Sequence, residues 1–129
     1  MSKSCATAKK AVQHNTIDET SVGSAATVFN DLIFTTQTPL NADGSLPDGI
    51  SAQSHQVLAN LETVLELAGS SMDRVLQLTI YLVDLQHRAI FNAAYSAHFS
   101  APLPARAAIG VAGLARPGML VEVSAVAAG

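Results

Sequence analysis

Along the chain, two stretches repeat their apolar residues at helical spacing. From Ser51 to Ala68, the residues Val57, Leu58, Leu61, Val64, Leu65 and Ala68 recur at three- and four-residue steps, which predicts one buried helical face with Gly69 as its stop signal. A second helix is predicted from about Gln86 to Phe99, carrying Ile90, Phe91, Ala94, Tyr95 and His98 along one side. Pro102 and Pro104 prevent its continuation. Between and around these stretches the pattern is that of strands. Val28 to Thr36 is rich in β-branched and aromatic residues and closes before Pro39, so it reads as one strand. Arg74 to Val83 alternates weakly but is dense in Val, Leu, Ile and Tyr up to Asp84, the pattern of a largely buried strand. Arg106 to Val111 and Leu120 to Ala127 predict two more strands. Asn41-Ala-Asp-Gly44 and Arg116-Pro-Gly118 predict turns. If the segment ahead of Val28 supplies a first strand, the order is strand, strand, helix, strand, helix, strand, strand. That order predicts an α+β (α/β) fold with both helices packed on one face of a mixed sheet.

Composition narrows what such a fold does. With 129 residues the chain has room for one domain, 1–129, and the first 15 or so residues are expected to be loosely ordered. Apolar residues make up 49%, enough to bury a core and to exclude disorder. Charged residues make up only 13%, against about 25% in typical soluble domains. The net charge of −3 supplies no basic field for a phosphate backbone, so no nucleic-acid partner is expected. No membrane span is expected, since the uncharged run between Arg88 and Arg106 is broken by Asn92, His98, Pro102 and Pro104. Nothing at the N-terminus reads as a signal-peptide core, which sets the expectation of a cytoplasmic protein. The single cysteine, Cys5, has no partner for an internal disulfide and no neighbour that would activate a thiolate.

Scarcity makes the charges inside predicted strands informative, because an ionisable group in an apolar strand costs free energy unless it is paired or used. Arg106 and Glu122 are the two. Strand alternation places Arg106 beside Ala108 and Gly110, and Glu122 beside Leu120 and Ser124, so small neighbours leave room for a ligand. A guanidinium presents a planar fork suited to a carboxylate, and a carboxylate can orient a water or carry a proton. An Arg–Glu ion pair stapling strands or subunits accounts for the same spacing equally well. The four histidines, His14, His55, His87 and His98, show no metal-ligand spacing, no nucleophilic triad is visible, and no cofactor is implied. Asn92 and Tyr95, one turn apart on the second helix, read as hydrogen-bonding and packing residues at a subunit contact.

The C-terminal run from Pro104-Ala-Arg106 through Leu114 to Leu120-Val-Glu122-Val and its small, apolar tail strongly resembles the signature of the Rid (YjgF) family of enamine/imine deaminases. Phe91-Asn-Ala-Ala-Tyr-Ser-Ala-His-Phe99 looks like that family's second helix, and Gly69 to Asp84 like its preceding turn and strand. The resemblance implies a chorismate-mutase-like monomer assembled as a homotrimer with three clefts at subunit boundaries. It also implies hydrolysis of small 2-imino or enamine carboxylic acids to 2-oxo acids and ammonia, without a cofactor. Carried over residue by residue, Arg106 would bind the substrate carboxylate and Glu122 would position the attacking water, as the catalytic pair. Thr36 and Ala108 would join Arg106 in lining the substrate site.

Two departures from the family pattern are visible. Thr35-Thr36-Gln37 stands where the family commonly has Ser-Gly-Gln, and no tyrosine precedes Tyr81, so Ser24 or Thr36 would have to supply the missing hydroxyl. These departures motivate a noncatalytic trimer that binds small carboxylates as an alternative, and the low charge motivates a protein-interaction module. A ribonuclease role, sometimes attributed to relatives, fits least, because no basic, aromatic-bearing RNA surface is evident.

Overall fold

The computed structural model describes residues 6–13 and 22–129. Six strands and two helices follow in the order β1 (Ala6–Val12), β2 (Ala26–Asn30), β3 (Leu32–Gln37), α1 (Ile50–Leu67), β4 (Val75–Leu82), α2 (Arg88–His98), β5 (Ala105–Gly110) and β6 (Val121–Ala128). One mixed sheet takes the strands in the order β1-β2-β3-β6-β4-β5. All neighbours are antiparallel except β4 and β5, which run parallel and are joined through α2. This is the α+β architecture that the sequence predicts, with β6, last in the chain, inserted between β3 and β4.

Helix α1 and its end behave as the pattern predicts. Val57, Leu58, Leu61, Val64 and Leu65 are buried, and Gly69 adopts φ 84° just beyond the helix. There Gly69 N donates to Glu66 O and Ser70 N to Leu65 O, closing the last turn through a conformation only glycine adopts without strain. Gln53 anchors the other end. It is buried within α1, its Nε2 donates to Pro47 O and Gly118 O, and its Oε1 accepts from Leu120 N. Those bonds tie α1 to the Arg116-Pro-Gly118 turn that leads into β6, so a polar core residue has its hydrogen-bonding capacity used.

Two expectations change. Val28 to Thr36 is not one strand but a hairpin, in which Phe29 pairs with Leu32 across Asn30-Asp31 and Asn30 takes φ 54°. Asn and Asp tolerate turn conformations that β-branched residues resist, and that signal outweighs the β propensity around it. Second, β4 is buried on one side only. A register shift between Val75 and Gln77 accommodates Leu76, after which Leu78, Ile80 and Leu82 face the core while Leu76 and Gln77 are exposed. The bulge switches the parity of the strand, which is why its alternation reads as weak. The first strand that the sequence order called for ahead of Val28 is present: Ala6–Val12 pairs with β2. The rest of the stretch expected to be loose lies outside the described residues except Gln13, and so does Cys5.

The two faces of the sheet differ. Ile33, Leu78, Ile80, Val121, Val123 and Ala127 lie under the two helices with almost no exposure. On the opposite face, Phe29, Leu32, Phe34 and Ile109 are 46, 38, 43 and 43% exposed. Register places Phe34 beside Val126 and Leu32 beside Ala128, so these four form an apolar patch on β3 and β6, apart from Ile109 on β5. Among the described residues, no helix is long and apolar enough to cross a membrane.

Candidate functional site

Arg106 sits on β5, the edge strand, opposite Leu78 of β4, and therefore points to the helix-covered side. Helix α2 receives it. Arg106 Nη2 donates to Asn92 Oδ1 at 2.7 Å, and the guanidinium lies 4.5 Å from the centre of the Tyr95 ring. Phe91 is 5.9 Å away, and Tyr95 is itself stacked on Phe99 at 4.7 Å. A hydrogen bond to a charged donor and a ring beneath the cation fix the plane of the guanidinium, leaving the rest of its fork to bind another group. The spacing Phe91, Asn92, Tyr95 supplies this clamp from one side of a single helix. Ala108, two residues along β5, pairs with Ile80 on the same side and packs against the core.

Glu122 lies on the other face. It pairs with Tyr81, three residues from Leu78, and so belongs to the helix-free surface. Burial pushes its carboxyl pKa up from the usual 4.5, because loss of water disfavours the charged form. Thr36 shares this face: it pairs with Ser124, and their hydroxyls lie 3.1 Å apart. Thr35 and Gln37 point to the opposite side, where Thr35 Oγ1 donates to Ala25 O and Gln37 Nε2 donates to Thr35 Oγ1.

The four expected site residues thus fall into two pairs, Arg106 with Ala108 on one face and Glu122 with Thr36 on the other. The expectation of one ligand space around both charges does not hold within a single chain. Two strand spacings of roughly 4.8 Å and a sheet's thickness separate them, so the ion pair that would staple these strands is excluded as well. What strand alternation in the sequence leaves open, the relative face of residues on different strands, is decided by register. The clamp residues Asn92 and Tyr95 stood out in the sequence as hydrogen-bonding and packing residues. Their contact with Arg106 has no local sequence signal.

An open cavity of about 760 Å³ lies beside Thr36, lined also by Ser24, Gln37, Asn41, Gln56 and Asn60 among others. Neither Arg106 nor Glu122 lines it. Its walls are mainly neutral amides and hydroxyls already engaged with one another, as where Asn60 Nδ2 donates to Thr38 O and Leu40 O. Among the lining residues described there is no Lys or Arg to pair with an anion. Among the described residues, no group of three or more His, Cys, Asp or Glu side chains is placed to hold a metal ion.

Comparison with known proteins gives a consistent result. The profile of the family described as Endoribonuclease L-PSP matches residues 15–129. The Saccharomyces cerevisiae protein HMF1 is 40% identical over 107 residues, covering 81% of this chain and 82% of the yeast protein. The 2-iminobutanoate/2-iminopropanoate deaminase of Escherichia coli is 33% identical over 102 residues, covering 76% and 79%. Among solved structures, RidA from an Antarctic Psychrobacter superposes with a TM-score of 0.86 at 29% identity, over 92% of this chain and 98% of that one. Strands β2 to β6 with Arg106 and Glu122, and both helices, fall inside the matched residues 15–129, and the chain belongs to the Rid (YjgF) family.

Proposed function

We propose that the protein is an imine/enamine deaminase acting on small 2-imino or enamine carboxylic acids, in a homotrimer whose three clefts lie between subunits. The observation that carries this reading is the Arg106 guanidinium, held in plane by Asn92 and Tyr95 with donors left for a planar carboxylate. A cation on a monomer's edge strand needs a wall to complete a site. The uncovered apolar face with Phe29, Leu32 and Phe34 supplies one when a second copy packs against it. Arg106 and Glu122 point to opposite sides of the sheet, so a cleft using both takes Arg106 and Ala108 from one chain and Glu122 and Thr36 from its neighbour.

The chemistry needs little more. With the carboxylate anchored on Arg106, Glu122 takes a proton from a water as that water's oxygen bonds to C2 of the iminium. The proton is then given to the nitrogen, Glu122 takes the remaining hydroxyl proton as the C–N bond breaks, and a 2-oxo acid and ammonia leave before that proton is released to water. A raised carboxyl pKa makes Glu122 a better base once ionised. No cofactor enters these steps. A net charge of −3 supplies no basic field for RNA, so the ribonuclease of the family description is not the activity proposed.

The test generates 2-iminopropanoate in situ with a dehydratase and follows ammonia or oxo-acid release. Wild type accelerates release over buffer, and Arg106→Ala and Glu122→Gln each reduce it by about a hundredfold or more, the loss of one or two charge-assisted hydrogen bonds. The two inactive variants, unfolded together at equal amounts and refolded, regain about a quarter of wild-type activity, since each subunit boundary assorts its two chains at random. No acceleration by wild type rejects the deaminase. Activity in wild type with no recovery in the mixed trimers rejects the shared cleft and keeps the activity. Saturable binding of 2-oxo acids that requires Arg106, without turnover, supports the noncatalytic binder instead.

A further inference from the structure

On the outer, helical side of the molecule, two imidazoles meet across the helix pair. His55 lies in the second turn of α1 and His98 is the last residue of α2, so the beginning of one helix lies beside the end of the other. His55 Nδ1 and His98 Nε2 are 3.3 Å apart, with ring centroids 5.4 Å apart and the planes tilted by 50°. His55 is exposed and His98 is half-buried.

At that separation the pair makes a weak hydrogen bond, beyond the 2.7–3.2 Å usual for an N–H donor. The separation also matches another geometry. Two nitrogens at about 2.0–2.1 Å from a tetrahedral zinc are roughly 3.3–3.4 Å apart. A square-planar metal such as Cu²⁺ would draw the same nitrogens closer, so the spacing favours zinc. We propose that His55 and His98 form a two-histidine Zn²⁺ site clipping α1 to α2, with water completing the coordination.

The surroundings suit a neutral nitrogen ligand. Burial first, and His55 second, hold the His98 imidazole below its usual range, and Glu62 on α1 opposes them. Loading requires that the nitrogen carrying hydrogen pass it to the far side of its own ring, a tautomer change with no change of charge. Glu62, on the same helix as His55, is near enough to act on the charge of His98, and a carboxylate so placed suits the outer-shell role that orients a metal-bound histidine. The site stands across the sheet from Glu122, and its mechanical consequence falls on α2, the helix whose Asn92 and Tyr95 hold Arg106.

The experiment titrates zinc chloride into the full chain in a non-chelating buffer, by calorimetry. Wild type shows one saturable event per chain. His55→Ala and His98→Gln each weaken it by more than the roughly tenfold that an outer-shell partner costs, and Glu62→Gln weakens it by about tenfold. Cys5→Ser leaves it unchanged. Zinc raises Tm in wild type and not in either histidine variant, because the site exists only when α1 and α2 are packed. His55 is exposed, so His55→Ala folds and gives a reading even if His98→Gln does not. Absence of zinc binding by wild type, binding that survives in His55→Ala, or loss of the event in Cys5→Ser overturns the proposal.

Discussion

The two faces of the sheet hold similar residue types and do different work. Under the helices, Ile33, Leu78, Ile80, Val121 and Val123 are sealed within the chain. On the open face, Phe29, Leu32, Phe34 and Ile109 keep 38 to 46% of their surface exposed. The first set is what one chain needs to fold. The second is apolar surface that a lone chain leaves in contact with water, and it carries a polar row, Thr36, Ser124, Thr79 and Glu122, running through it. In the proposed trimer, folding and assembly draw on separate surfaces of the same strands, with successive residues serving one and then the other.

That comparison breaks most visibly at Phe34. A Phe34→Asp chain is expected to fold, because nothing in the helical core touches that side, but to lose assembly. Light scattering should show the mass falling about threefold to that of the 13.3 kDa chain, and deaminase activity should vanish with it. A wild-type chain that is already monomeric at micromolar concentration removes the premise. Leu61→Ala is the counterpart under the helices. Loss of a fully buried leucine is expected to cost about 2–5 kcal/mol in chemical denaturation, with the mass of the folded assembly unchanged.

Asn92→Ala sharpens the division more finely. Losing one hydrogen bond to a charged group at the guanidinium is expected to raise KM for the imino acid about tenfold, with kcat changed less and stability nearly intact. An equal loss in kcat and kcat/KM would place Asn92 in the chemistry and not in holding Arg106. Gly69→Ala addresses only the local end of α1: at φ 84° a side chain costs about 1–2 kcal/mol, measurable as a lowered Tm without a change of mass or activity. The smallest effect is expected at Glu122. Its folded pKa is raised above 4.5 by burial, so the folded state holds its proton more tightly than the unfolded one, and stability declines as pH rises from 4.5 through the folded value. Glu122→Gln should gain slightly in Tm relative to wild type at pH 7 and not at pH 4, and a gain at both would assign the effect to packing.

Much of the fold was readable from local pattern. The burial of Val57, Leu58, Leu61, Val64 and Leu65 and the stop at Gly69 follow from residues within one turn of each other, and local spacing is what a sequence states directly. The hairpin at Asn30-Asp31 was also written there, as two turn-tolerant residues, but stood inside a run of strong strand formers that masked it. The bulge at Leu76 had no such mark. A single extra residue reverses which side of β4 faces the core, and only pairing with β6 shows where that residue falls.

The candidate site divides in the same way. The sequence by itself determined the elements, the scarcity of charge that singled out Arg106 and Glu122, and the family to which the chain belongs. Only the tertiary structure decided that the two charges face opposite sides of the sheet, that Asn92 and Tyr95 hold the guanidinium, and that His55 and His98 meet across the helices. The physical reason is common to all three. Periodicity fixes the face of a residue relative to its own helix or strand. The register between strands and the packing of helices arise from contacts between residues far apart in the chain, 14 positions for Arg106 and Asn92 and 43 for His55 and His98.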